Sequence, residues 1–290
     1  MKRVVLTVGR GKPKYAEMAL GLGRSLSLIG DEIPRTVVTD LAEFPWERHF
    51  QNVVAPSGPR SALDKLFGLE LTDADAVLAI DSDCLAFRRL GPVFDYLQGK
   101  EFAIVGHTRS EGEWHGADVK EVCRMLGVDQ IPSFNGGLIY YERTPKTIAL
   151  IEEMKRVERE FDTTGFERFR GGASEEVCVL LAMMKMGFGE VVPDETDFMN
   201  TAVGLVGKLT MDVMRNDCHF VCRRHEVRFV RPYVFHASRY SNFRAYWKQL
   251  DRLKWLDDYA DRHPYGYLSP WGKFRRSVER RYLKYVLKKL

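Results

Sequence analysis

The stretch Ala76-Val77-Leu78-Ala79-Ile80-Asp81-Ser82-Asp83-Cys84-Leu85 decides how the chain is read. Five apolar residues run without a polar interruption, as in strands buried on both faces of a parallel sheet. The run ends in two carboxylates separated by one residue. In open α/β sheets ligands bind beyond the carboxyl ends of the strands, so Asp81 and Asp83 stand where chemistry is usually done. Two adjacent carboxylates are costly to take out of water together and want a cation. Hard oxygen donors suit Mg²⁺ or Mn²⁺, ions whose shells are often completed by substrate phosphates. The competing reading is a strand-end turn in which Asp83 caps the following segment.

Outward from this stretch, short β-branched runs alternate with helical patterns, which predicts an α/β fold with a mainly parallel central sheet and flanking helices. Candidate strands are 4–8, 36–39, 51–54, 76–80, 102–105 and 137–141, then 189–192 and 227–235. Helical periodicity covers 15–27, 62–71, 147–161 and 175–186, with later helices near 242–259 and 274–290. No repeat or Pro/Gly/Ser linker divides the chain. The expected organisation is one domain over 1–240 and a helical, basic and aromatic extension over 241–290.

The chain has 290 residues, 45% apolar and 29% charged, which excludes a disordered or fibrous protein. No apolar run approaches the roughly 18 residues a membrane span needs. Met1-Lys2-Arg3 is followed by too short an apolar run, Val4-Val5-Leu6, for a signal peptide. Five cysteines, an odd number at uneven spacing, do not make a disulfide framework. A reduced, cytoplasmic protein is expected. Residues 241–290 carry 13 Lys/Arg against 5 Asp/Glu, a net of +8 within a chain total of +4, which leaves the body at −4. A basic tail on an acidic body suggests an anionic partner for the tail.

Taken in order, Lys65-Leu66-Phe67-Gly68-Leu69-Glu70-Leu71, Val77 to Asp83, Phe134-Asn135-Gly136-Gly137-Leu138 and Val234-Phe235-His236 resemble the glycosyltransferases of the GT-A fold. The resemblance is greatest to family 8, which includes glycogenin and bacterial lipooligosaccharide galactosyltransferases, and it runs from Val4 to Tyr240. It implies a Rossmann-like GT-A domain, a nucleotide-sugar donor (UDP-linked) and Mn²⁺ (or Mg²⁺). On that resemblance Asp81 and Asp83 hold the metal against the donor diphosphate, with Ser82 between them in the donor-binding segment. His236 is the third ligand, and Lys65 contacts the donor. Thr7, Val8, Gly9 and Tyr15 lie where the uridine would sit. Gly136 lets backbone approach the sugar. Asn135, Glu175 and Glu176 are the catalytic candidates on the sugar's reactive face.

Electrostatics agrees with these roles. Cleaving a sugar–diphosphate bond develops negative charge, which a divalent cation and Lys65 would neutralise. Each residue also has a plainer reading. Lys65 could be a solvated helix lysine, Tyr15 a core-edge aromatic and Gly136-Gly137 a turn. Glu175 and Glu176 follow Ser174, a good N-cap, and acids in a first helical turn are favoured by the dipole alone.

The sequence departs from the family pattern in three places. The late His-x-x-Gly-x-x-Lys reads His236-Ala237-Ser238-Arg239-Tyr240-Ser241, which leaves Arg239 or Arg244 to replace the phosphate-gripping lysine. Asn-Ser-Gly reads Asn135-Gly136-Gly137, and Asp-Gln reads Glu175-Glu176. The expected function is metal-dependent transfer of a sugar to a glycan or lipid-linked acceptor, with retention. Two rivals remain. One is a haloacid-dehalogenase-like phosphatase with Asp81 as nucleophile and Asp83 as general acid/base. The other is a non-catalytic sugar-binding relative of the same fold.

Weaker signals complete the reading. Cys218-His219-Phe220-Val221-Cys222-Arg223-Arg224-His225 has zinc-ligand residue types without a second half-site, and alternation would equally bury both cysteines on one strand face. Gly9-Arg10-Gly11-Lys12 lacks the Gly-Lys-Ser/Thr ending of a phosphate loop, and Gly21-Leu22-Gly23 lacks a third glycine. The polar loop 107–118 offers Trp114 and His115 for stacking on an acceptor sugar. Met183, Met184 and Met186 read as core filling. The basic aromatic pattern over 273–290 suits the anionic inner face of a membrane, and no motif accompanies it that would indicate nucleic acid.

Overall fold

The computed structural model describes residues 1–56, 58–169, 171–223, 227–238 and 244–262. In chain order it runs β1 (Arg3–Val8), α1 (Pro13–Leu28), β2 (Arg35–Val38), β3 (Asn52–Val54), α2 (Gly68–Leu71), β4 (Ala76–Ile80), β5 (Cys84–Ala86) and α3 (Gly91–Leu97). There follow β6 (Phe102–Arg109), β7 (Glu113–Trp114), β8 (Ala117–Asp118), α4 (Val119–Leu126), β9 (Ile131–Glu142), α5 (Pro145–Arg159) and α6 (Glu175–Met186). The rest is β10 (Glu190–Pro193), β11 (Met199–Thr201), β12 (Leu205–Asp212), β13 (Asp217–Arg223), β14 (Val227–Val230), β15 (Val234–His236) and α7 (Arg244–Arg262).

Seven strands form the central sheet in the order β10-β6-β9-β4-β1-β2-β3. All run parallel to one another except β9, which is antiparallel to both neighbours, β4 and β6. The mainly parallel α/β sheet expected from the sequence is therefore present. β4 explains why its five residues are all apolar. Successive side chains of a strand point to opposite faces, and here both faces are covered. Val77 and Ala79 pack with Leu150 and Met154 of α5 and Val179 of α6. Ala76, Leu78 and Ile80 pack with Leu22 and Leu26 of α1 and Val93 and Phe94 of α3.

A second, three-stranded sheet, β11-β15-β5, stands at the carboxyl end of β4. The chain leaves β4, turns at Asp81–Asp83 with Cys84 N–H donating to Asp81 O at 3.1 Å, and enters β5. There β5 pairs antiparallel with β15, with His236 opposite Cys84. Ala237 N–H donates to Asp83 O at 3.0 Å and fastens the end of β15 to the acidic turn.

The structure adds α3, β5, β7, β8 and β11 to the expected elements, extends 102–105 to Arg109 and starts 137–141 at Ile131, and two expected elements are divided. Residues 62–71 are not one helix but a 3₁₀ turn, Asp64–Phe67, followed by the short α2. The Tyr141 hydroxyl inserts at this break, donating to Lys65 O at 2.6 Å and receiving Gly68 N–H at 3.2 Å. Residues 227–235 form two strands, β14 and β15, because Pro232 has no N–H to carry a ladder through. β14 belongs to an antiparallel sheet, β12-β13-β14, that lies outside the sequence expectation. In it Cys218 and Cys222 are buried in the core beside Phe220, and His219 stacks near Phe229 on the other face. No metal-ligand cluster forms there among the described residues; His225 lies outside them.

α7 packs on α1. Leu250 fills the space a Cβ on Gly21 would need, since that Cβ would stand 2.1 Å from Leu250 Cδ2. Gly23 likewise admits Phe50 and His49, so the two helical glycines serve helix and loop packing. Asp257 accepts from Arg24 Nε at 2.6 Å and lies 2.9 Å from His49 Nε2. The basic segment 263–290 lies outside the described residues. Among those described, no helix is long and apolar enough to cross a membrane.

Candidate active site

Three elements meet beyond the carboxyl end of β4, and they bring Asp81, Asp83 and His236 together. His236 Nε2 lies 3.0 Å from Asp83 Oδ1 and 3.5 Å from Asp81 Oδ2. On its other side His236 Nδ1 is 2.6 Å from Asn135 Oδ1, which also accepts Gly137 N–H at 3.0 Å. A backbone N–H can only donate, so the atom facing both partners is the amide oxygen, and His236 carries a proton on Nδ1. Nε2 hydrogen-bonds Asp83 while it carries a proton, and offers a lone pair between the two carboxylates once that proton leaves. Burial opposes charge on His236, but Asp83 and Asp81 outweigh it and raise its pKa. Burial likewise pushes Asp83 up, and His236 overcomes it and holds the carboxyl below its usual range. Cys84 Sγ falls within 4.8 Å of the Asp83 and His236 donors, but burial keeps its thiol neutral. With the Nε2 proton displaced, the two carboxylates and the imidazole nitrogen would hold a divalent cation, the carboxylate oxygens being the donors that suit Mn²⁺ or Mg²⁺.

Behind this trio lies Lys65, buried on the 3₁₀ turn before α2. Its ammonium donates to Asp81 Oδ1 at 2.5 Å and to Gly136 O, and it lies 3.0 Å from Glu175 Oε2. Burial works against its charge, but Asp81 and Glu175 prevail and the pKa is raised. The reading of Lys65 as a solvated helix lysine is thus excluded. Burial pushes Glu175 up to about 8 despite Lys65, because Asp81 and Glu176 add repulsion. Its Oε1 is buried without a hydrogen-bond partner among the described residues.

Glu176, one residue on, has the opposite environment. Its Oε1 accepts Gly136 N–H at 2.7 Å, and Oε2 lies 2.5 Å from His115 Nε2. Burial would raise its pKa, but the bond to His115 outweighs that and the carboxyl is held low. Ser174 occupies the N-cap position of α6 without a capping hydrogen bond; its hydroxyl is 3.4 Å from His115 Nδ1. Residues 107–118, expected as a loop, form the end of β6 and the β7–β8 hairpin, whose turn contributes His115 to the site through Glu176. Trp114 is buried against Phe134 and Phe166.

The glycine pair in β9 has a reason internal to the site. A Cβ on Gly137 would stand 2.3 Å from His236 Nδ1, and one on Gly136 would stand 3.2 Å from Glu175 Oε1. The close approach is to these side chains.

The remaining candidates lie around this centre. β1 pairs with β4 in the register Leu6 to Ala79, and continuing it sets Val8 level with Asp81. Thr7 is fully buried, with no partner for Oγ1 among the described residues. Gly9 O accepts from the Thr39 hydroxyl at 2.6 Å. Tyr15 is half-buried, with Lys14 Nζ 4.9 Å and the Arg60 guanidinium 5.3 Å from its ring centre. Ser82 is half-buried between the two aspartates. Arg239 lies outside the described residues, and Arg244 is exposed at the start of α7.

No family model matches the chain, and no curated protein matches it in sequence. An active-site glutamine-to-glutamate mutant of LgtC superposes on it with a TM-score of 0.50 at 14% identity, over 80% of this chain and 86% of that one. The chain has the GT-A fold. Two further solved structures resemble it less. The glycosyltransferase GlyE of Streptococcus pneumoniae TIGR4 gives a TM-score of 0.46 at 15% identity, over 69% of this chain and 47% of that one. The galactosyltransferase LgtC in complex with donor and acceptor sugar analogues gives 0.45 at 14%, over 68% and 75%. The chain spans about half the length of the GlyE structures it matches. Within the GT-A fold, the cluster of Asp81, Asp83 and His236 sits at the carboxyl edge of the sheet, where α/β proteins bind ligands.

Proposed function

We propose that the protein is a metal-dependent glycosyltransferase. It moves a sugar from a nucleotide donor, UDP-linked, to a glycan or lipid-linked acceptor with retention of configuration. One observation carries this reading. The Asn135 oxygen holds Nδ1 of a buried histidine so that Nε2 stands beside two carboxylates, where a divalent cation would take the place of the Nε2 proton. Asp81, Asp83 and His236 would hold Mn²⁺ or Mg²⁺, which when bound would supply positive charge for the leaving diphosphate. Lys65 adds its own charge behind Asp81 and ties the acidic turn to Gly136 and Glu175. Thr7, Val8, Gly9 and Tyr15 would border the nucleoside, and Ser82, Gly136 and Arg239 the rest of the donor. Glu176, Glu175 and Asn135 would face the reacting sugar, Asn135 acting also through His236.

The GT-A fold and the position of the acidic turn, after the fourth strand of the chain, support this reading over a haloacid-dehalogenase-like phosphatase, whose motif follows the first strand. Incubation with UDP-, GDP- and dTDP-sugars should give Mn²⁺-dependent hydrolysis of one nucleotide class. Release of phosphate from simple esters with no donor hydrolysis would overturn the proposal. Metal-dependent donor binding without turnover would indicate a non-catalytic relative. We further propose that segment 263–290 meets anionic lipid headgroups on the cytoplasmic face. A chain ending at Pro264 should no longer co-sediment with anionic vesicles.

A further inference from the structure

Glu175 and Glu176 are neighbours of one residue type in one helical turn, yet their surroundings differ. Glu175 has Lys65 on one oxygen and nothing on the other among the described residues. Glu176 has both oxygens engaged, one by Gly136 N–H and the other by His115 Nε2. His115 comes from a separate part of the chain, the turn between β7 and β8, where its backbone takes φ +50°. Non-glycine residues seldom adopt that left-handed conformation, and it persists only where surrounding contacts impose it. The ring is held from its other side by Ser174 Oγ and edge-on by Trp114.

Resting on the transferase reading, we propose that His115 is a positioning residue for Glu176. It fixes the carboxylate against the Gly136 backbone and keeps it ionised beside the sugar-binding region. The two glutamates thereby divide their work. Glu176 is the fixed carboxylate and Glu175 the one able to carry a proton near neutral pH. The titratable groups facing Glu176 are His115 from the β7–β8 turn, Lys65 from the turn before α2 and Glu175 from α6 itself. Glu167 flanks the same turn, its carboxylate 3.5 Å from where a Cβ on Gly116 would lie. Of Lys65 and His115, only His115 bonds Glu176 directly. Without it the burial of Glu176 is opposed only by the Gly136 N–H and by Lys65, which does not bond it, and the carboxyl should titrate higher.

The test is a carboxyl titration followed by ¹³C NMR on glutamate-labelled protein, with the Glu176 signal assigned from Glu176→Gln. In His115→Asn, whose asparagine tolerates the left-handed backbone, the Glu176 midpoint should rise by about one pH unit or more, the effect of removing a hydrogen bond to the charged form. His115→Ala should do the same, and agreement between the two variants separates loss of the bond from local misfolding. A Glu176 midpoint unchanged in a folded His115→Asn protein would overturn the proposal. Donor hydrolysis is measured alongside. The acid limb of the kcat profile should move upward in His115→Asn and vanish in Glu176→Gln, and the double variant should be no slower than Glu176→Gln alone. Additive losses with an unshifted profile would reduce His115 to a structural part. If the wild type turns over no donor, the transferase reading fails, and the NMR titration still decides the pairing.

Discussion

Asn135 Oδ1 lies 2.6 Å from Nδ1 of His236 and 3.0 Å from the Gly137 amide nitrogen. One amide oxygen therefore accepts the Nδ1–H of the buried imidazole and points its other nitrogen at Asp81 and Asp83. Outer partners of this kind typically account for 10- to 100-fold in metal affinity. Asn135→Ala should weaken Mn²⁺ binding by about that factor, with a small change in Tm. Direct Mn²⁺ titration checks it, and unchanged affinity would mean that His236 does not act as a ligand.

Gly137 has no room for a side chain. A Cβ would meet three atoms of the His236 ring within 2.9 Å, and the ring is locked between Asn135 and the aspartates. Gly137→Ala should lose Mn²⁺ binding and destabilise the fold by about 1–3 kcal/mol, the usual effect of overpacking. Glycine to alanine in a strand would otherwise gain about 0.5–1 kcal/mol. A stabilised variant in thermal melting would contradict the geometry.

Glu175 carries a pH signature. Its pKa is pushed up to about 8, against an ordinary 4.5. Between those values the folded protein holds a proton that the unfolded chain has lost, so stability falls as pH rises through that window. Glu175→Gln removes the slope. Its stability relative to wild type should grow between about pH 5 and about pH 8, measured by denaturant unfolding of metal-free protein. An equal difference at both pH values would mean that Glu175 is ionised in the fold.

α7 is fastened through Asp257. Burial pushes this carboxyl up, but the bonds from His49 and Arg24 prevail and hold it below the usual range. Its contribution is therefore present above the ordinary aspartate pKa and lost as pH falls through the folded value. Asp257→Asn should cost about 2 kcal/mol, as expected for hydrogen bonds to a charged group, and flatten the acid side of the stability profile. Urea midpoints across that range measure both effects.

Legibility in the sequence varied with physical cause. Residues 76–80 and 175–186 are read with the bounds the structure has, because a strand covered on both faces is continuously apolar and α6 ends at Gly187 in the left-handed conformation. In the β12-β13-β14 sheet, alternation marks β13 through Cys218 and Cys222 and 227–235 covers β14, but β12 is not legible because a register irregularity between Val206 and Thr210 breaks its alternation. Asp81, Asp83 and His236 could be named because strand ends and a family resemblance mark them. His115 could be singled out only as a loop residue suited to stacking. Its partner, Glu176, lies 61 residues away, and nothing in local pattern links a left-handed turn to the start of a helix that far along the chain. The role of Gly136-Gly137 in admitting His236 and Glu175 was hidden for the same reason.

The most direct test of the central claim is calorimetric titration of UDP into the protein with Mn²⁺ and then with chelator, repeated on Asp83→Ala. Metal-dependent binding by the wild type, lost with chelator and lost in the folded variant, is the predicted result. Nucleotide binding indifferent to metal, or retained in full by Asp83→Ala, would contradict the account.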